Sequence, residues 1–319
     1  MVGVGASGVV SEADLERELA LVRNAASDDR AGVFGPGSMT WQIDKEAAIF
    51  LGAGRALLLQ LAHPWIAAAI TEHSRALADP IGRFHRTFNP VFTLVFGTTG
   101  QALAAARRLQ RRHAGISGTL SEKAGPFAAG SAYQANDVAA LCWVHATLVE
   151  SAVVAHELLH PPLSLEDRER YWSEARLFGS FFGIPQAALP QSWTDFAAGN
   201  EAMYQSDILA VSRAAPNIAA QVLSGAGSWL RIPFWYRALT ARLLPARMRE
   251  GFGLRYGELE QRASERTLAV LRFVYPLVPG RLRHVGPYQE ACARLAGRRS
   301  GAATQLLNRL WIGQKAMAG

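Results

Sequence analysis

Cysteine is nearly absent. The 319 residues hold two, Cys142 and Cys292, far apart and flanked by apolar residues. No CxxC pair occurs, so a cysteine-built zinc site or a redox dithiol is unsupported, and both residues read as buried free thiols. Lysine is almost as scarce: only Lys45, Lys123 and Lys315 stand beside the arginines that carry the net charge of +7. Those arginines are spread along the chain, and the densest run, RRLQRRH at 107–113, ends an amphipathic helical pattern. Without an aromatic-interleaved basic stretch, finger spacing or a helix-turn-helix pattern, no nucleic-acid partner is expected.

Alternating β-branched runs and Asn-Gly or Asp-Gly hairpin turns are also missing, as are internal repeats. Long uncharged apolar runs are missing too. The most apolar windows, 46–71 and 137–159, are interrupted by Glu46, Arg55 and His63 in one and by His145, Glu150, His156 and Glu157 in the other. Charges at such depths are costly in lipid, so both windows read as core helices and no transmembrane span is expected. A peripheral membrane contact through a basic face stays compatible with the composition. The opening MVGVGASGVVSEADLERELA has no basic start and no apolar core, so a cytoplasmic location is expected.

What is present is helical. Half of the residues are hydrophobic and 18% are charged, a globular balance with ample length for a core. Ser11 with Asp14 forms a capping box ahead of 12–26, Asn136 or Asp137 caps a helix running to about 159, and Ser164 with Asp167 caps the next. Residues 43–71 form an apolar helical pattern that breaks near His63-Pro64. Residues 99–114 alternate Leu103, Ala106 and Leu109 with arginines at helical spacing. The expected fold is all-α: a flexible tail at 1–10, then one domain of ten to twelve helices over 11–319.

Two constellations carry chemistry. The first is HELLH at 156–160, the spacing by which zinc peptidases set two histidines on one helix around a metal, with the glutamate as base. Pro161 and Pro162 follow directly, so the helix is expected to end at or before His160. No third ligand is singled out, and no edge strand is available to hold a peptide. Zinc peptidase is therefore the weakest of three functional readings.

The second is GRFHRTFNP at 82–90. In a helix, Arg83, Arg86 and Thr87 share one face, and two like charges one turn apart suit an anionic group between them. Around this segment His63, His73, His113 and His145 lie in or beside apolar helices, as they would around a cofactor pocket in a helical bundle.

The run GAGRALLLQLAHPWIAAAITEHS, DPIGRFHRT, FGT, ARRLQRRHAGISG and DVAALCWVHATL resembles the catalytic domain shared by rubber oxygenases (latex clearing proteins) and MpaB-type oxygenases. The resemblance covers roughly 40–260 and is most specific between 53 and 150. It implies an all-α fold with a globin-like core, haem b as cofactor, and a dioxygen-dependent oxidoreductase. Arg83, Arg86 and Thr87 occupy the family's Arg-x-x-Lys-Thr pattern on the distal side of the haem, and His113 occupies the place of the proximal iron ligand. His145, in WVHATL, is the alternative axial ligand, and His63 and His73 are candidates for pocket lining. One departure matters: the family's lysine is Arg86 here. A guanidinium stays protonated and does not coordinate iron, so Arg86 is expected to hydrogen-bond instead. Together with the absence of a secretion signal, this departure points away from polyisoprene and toward a smaller apolar, unsaturated substrate. A non-catalytic helical protein binding an apolar ligand is the second reading.

Overall fold

A computed structural model describes residues 8–73, 79–225 and 231–318. Among these residues there are sixteen α-helices and one two-stranded ribbon. In chain order the helices of the first half are α1 (Glu12–Ala25), α2 (Met39–Asp44), α3 (Ala53–Leu61), α4 (Pro64–His73), α5 (Pro80–Phe96) and α6 (Thr99–Ala114). The ribbon strands β1 (Ser117–Thr119) and β2 (Ala132–Gln134) follow, then α7 (Val138–Leu159), α8 (Leu165–Ser180), α9 (Trp193–Gln205) and α10 (Ala215–Ser224). The last third holds α11 (Phe234–Leu243), α12 (Ala246–Gly251), α13 (Glu258–Val274), α14 (Gly280–Arg283), α15 (Gly286–Leu295) and α16 (Ala302–Ile312).

Local chemistry sets the helix boundaries. Ser11 and Asp14 close the capping box of α1, Asp137 accepts from the Ala140 amide to start α7, and Ser164 accepts from Asp167 to start α8. Thr98 and Gln101 form a further box at the start of α6. The break expected at His63-Pro64 is sharp: the helical stretch before it and α4 are bent by 102°. Ala47–Gly52, expected as α-helix, is a 3-10 turn leading into α3. Pro245 separates α11 from α12.

Helix α7 is the axis of the core. It packs against α2, α3, α8 and α13 and buries Leu141, Trp143, Val149 and Val153. It is the one described helix long and apolar enough to cross a membrane, and 67% of that window is buried inside the fold, as in the core helix of a compact domain. The tail expected at 1–10 is tied down at its inner end. Val10 donates to the Asn136 carbonyl, Val138 donates to that of Gly8, and the Val10 side chain is buried.

The strands are a correction to the strand-free expectation. Ser117, Gly118 and Thr119 pair antiparallel with Gln134, Tyr133 and Ala132. Gly118 is required there, since a Cβ would lie 2.6 Å from the Tyr133 hydroxyl and 2.7 Å from a Glu72 carboxylate oxygen. Three-residue strands joined by a long loop leave no alternating pattern to read.

Candidate functional site

Helices α5 and α6 form an antiparallel hairpin turned by Gly97 and Thr98. Arg83 stands 14 residues before Gly97, and His113 stands 15 residues after Thr98. At 1.5 Å per residue both lie about 21–22 Å from the turn, so the hairpin carries them to the same end. His73, at the end of α4, reaches that end too, with its Nε2 3.1 Å from the carbonyl of Ser117, which follows α6.

The ring of His113 is partly buried and hydrogen-bonded to the side chain of Asn136. Burial, helped by Arg112, pushes its pKa down to about 4, and the Asn136 bond opposes this. The Asn136 amide meanwhile donates to the Gln110 carbonyl at 3.2 Å. His113 is thus a neutral imidazole held through one ring nitrogen by Asn136.

The three residues of the arginine motif divide. Arg83 is half-buried, and its Nη1 has no hydrogen-bond partner; burial and the charge of Arg86 hold its pKa below the usual arginine value. Arg86 is exposed and paired at 2.9 Å with Asp79, the residue that caps α5. Thr87 is exposed. Pro90 within α5 has no N–H to return to the Arg86 carbonyl, which loosens the helix beside the motif.

The other two histidines lie elsewhere. His145 is 1% exposed, its Nε2 is 2.7 Å from the Ala175 carbonyl, and its ring packs between Trp172 and Phe178. Its Nδ1 is buried without a partner, and burial lowers its pKa to about 4. His63 is buried beside Trp65 and Phe127, with its pKa likewise pushed down to about 4 by burial. Helix lengths thus put Arg83, Arg86 and His113 toward one end of the hairpin, with His73 bonded beside Ser117, whereas His145 lies in the α7–α8 interface.

Two features escaped the sequence reading. Phe84, Phe88, Phe92 and Phe96 recur every four residues and form a column along α5, with neighbouring centroids 4.7, 6.2 and 6.1 Å apart. Phe50 and Trp311 close it from the side. The column runs from the Arg83 end into the core, and the period-four spacing was its signal. The second is a buried network. Arg55 Nη2 lies 2.6 Å from Glu150 Oε2 and 2.8 Å from the Tyr204 hydroxyl, while Nη1 donates to Ser151 and Nε to the Leu243 carbonyl.

HELLH folds differently from a peptidase centre. Helix α7 ends at Leu159, and His160 caps it in an extended conformation. The rings of His156 and His160 stack face to face at 4.4 Å instead of converging on a point. Glu157 accepts from the Leu163 amide at 2.9 Å and from Arg168 at 2.7 Å, which leaves it poorly placed to act as a base. No group of three or more metal-ligating side chains converges among the described residues.

Comparison with known families places this helical domain among oxygenases. The catalytic-domain model described as ER-bound oxygenase mpaB/B′ and rubber oxygenase matches residues 40–273. The chain belongs to that family, and is an enzyme of the oxidoreductase class. No curated protein and no solved structure matches it at a significant level.

Proposed function

We propose that the protein is a haem b-dependent oxygenase acting with dioxygen on a small apolar, unsaturated molecule, with His113 as the axial ligand. The observation that carries this reading is the state of His113: neutral, anchored through one ring nitrogen by Asn136, and at the same end of the hairpin as the unpartnered Arg83 guanidinium. The donor chemistry at this end fits a haem. A histidine ligand keeps its lone pair on one nitrogen and has the other fixed by an outer partner, and a buried arginine N–H suits a propionate carboxylate. A bound haem would supply the electron-transfer and dioxygen chemistry that no side chain offers.

The chain's own residues bind and orient. Asn136 sets the plane of the His113 ring. Arg83 offers a desolvated cation to an anionic group. Arg86, held by Asp79, stays a protonated hydrogen-bond donor and would not ligate a metal. Phe84 and Phe88, the half-buried outer part of the column, would offer the apolar substrate a wall that excludes water. His145 ranks second as a ligand, because its Nε2 is already committed to Ala175 and its Nδ1 faces packed aromatic rings. The test is an absorption spectrum of protein expressed with added haem precursor, with iron and zinc content on the same sample. A Soret band with stoichiometric iron supports the reading. Absence of both after haem titration overturns it, and stoichiometric zinc instead would return attention to HELLH.

A further inference from the structure

At the opposite end of the α5–α6 hairpin lies a cleft of about 600 Å3. It is edged by Arg30, Arg294, Arg298, Arg299 and Lys315, and Glu290 is the one carboxylate in its lining. None of the five cations makes an ion pair among the described residues. Glu290 acts on Arg294 without forming an ion pair, and its oxygens are committed elsewhere. Its carboxylate accepts from the Asn308 amide at 2.5 Å and from the Met317 backbone at 3.1 Å. Asp28 is the other carboxylate acting on Arg294, and it also takes the Arg30 backbone N–H at 2.8 Å.

Arg30 and Arg294 are locked reciprocally. Arg30 Nη2 donates to the Arg294 carbonyl, and Arg294 Nε donates to the Arg30 carbonyl at 2.7 Å. A second contact, Arg294 Nη2 to the Phe96 carbonyl at 2.6 Å, fixes that guanidinium further. Both groups keep unused N–H donors, and their geometry is set before any ligand arrives. Two guanidinium groups held side by side repel each other, an arrangement that an anion between them relieves. Gly297, at φ +69°, turns the chain so that Arg298 and Arg299 edge the same cleft. Beyond them α16 begins at Gly301 with no side-chain cap and no acidic residue in its first turn, and Ser300 and Gln305 at this helix start also line the cleft. The free amides there add a further positive pole.

We propose that this cleft binds a compact, multiply charged anion, a di- or triphosphate group being the chemistry it fits. The volume suits a ligand of nucleotide size, and five cations against one diverted carboxylate favour more than one phosphate. The proposal is independent of any haem at the other end of the hairpin.

The test is calorimetric titration of the full chain with sodium triphosphate, repeated at raised salt and with the doubly substituted Arg298→Ala/Arg299→Ala protein. Both arginines are exposed, so the substitution should leave the helical circular dichroism unchanged. The expected result is saturable one-to-one binding that weakens with salt and falls at least tenfold in the double variant. Lys315→Ala alone should weaken it by a smaller factor. Absence of saturable binding, or equal binding by the double variant, overturns the proposal. So does sedimentation with phosphatidic-acid vesicles without binding of triphosphate in solution, which would assign the cleft to a lipid headgroup.

Discussion

The Nε2 of His145 lies 2.7 Å from the carbonyl of Ala175, and this contact joins the two central helices α7 and α8. The ring is neutral in the fold, because burial pushes its pKa down to about 4. The same holds for His63. A histidine whose folded pKa is depressed contributes full stability above its unfolded value near 6.5, and that contribution falls as pH drops from there toward the folded value. Each of the two should forfeit about 2 kcal/mol by pH 5. The melting temperature should therefore fall steeply between pH 7 and pH 5. His145→Gln, which can still donate to Ala175, should flatten that slope in melts recorded across the range.

Arg55 and Glu150 form a largely buried ion pair, with side-chain exposures of 6% and 18%. Removing Arg55 leaves the buried Glu150 carboxylate without its cation, held only by the Tyr204 hydroxyl. Arg55→Ala should lower stability by about 3–5 kcal/mol. Replacing both partners with apolar residues of similar volume should recover much of that loss. Urea unfolding of the single and double variants checks both statements.

HELLH gives a sharp contrast between two roles. If Glu157 anchors the chain after α7, Glu157→Ala should destabilise by about 1–3 kcal/mol through the lost Leu163 and Arg168 contacts. Metal content and the visible spectrum should not change. A catalytic loss without a stability loss would contradict the structural role.

The two arginines of the 83–86 motif should behave differently. Arg83→Ala removes a half-buried cation with an unpartnered N–H and should weaken haem retention about tenfold, as expected for one charge-assisted hydrogen bond of roughly 1.4 kcal/mol. Arg86→Ala breaks only an exposed pair with Asp79 and should change stability by less than about 1 kcal/mol. Haem titration of both variants, followed at the Soret band, measures the difference.

Much of the fold was legible because it is written locally. The caps at Ser11, Asp137 and Ser164 and the break at His63-Pro64 all follow from residues within one turn of each other. The ribbon at 117–119 and 132–134 was not legible, being too short for a period. The site was legible in part. The run 82–113 announces both arginines and His113, yet the partner that orients His113 is Asn136, read only as a possible helix cap. The commitment of His145 to Ala175 spans 30 residues and has no local signature. Glu46 shows the same limit. It is buried at the centre of contacts from Tyr275, Arg283 and His284, more than 220 residues away, and its charge acts on both HELLH histidines.

The central claim is that His113 is the axial ligand, and the most direct measurement is the absorption spectrum and iron content of His113→Ala beside the unmodified protein, both expressed with added haem precursor. The account predicts a Soret band and stoichiometric iron in the unmodified protein, and loss of both in the variant with its helical circular dichroism intact. Full haem loading of His113→Ala would contradict it and make His145→Gln the next protein to measure.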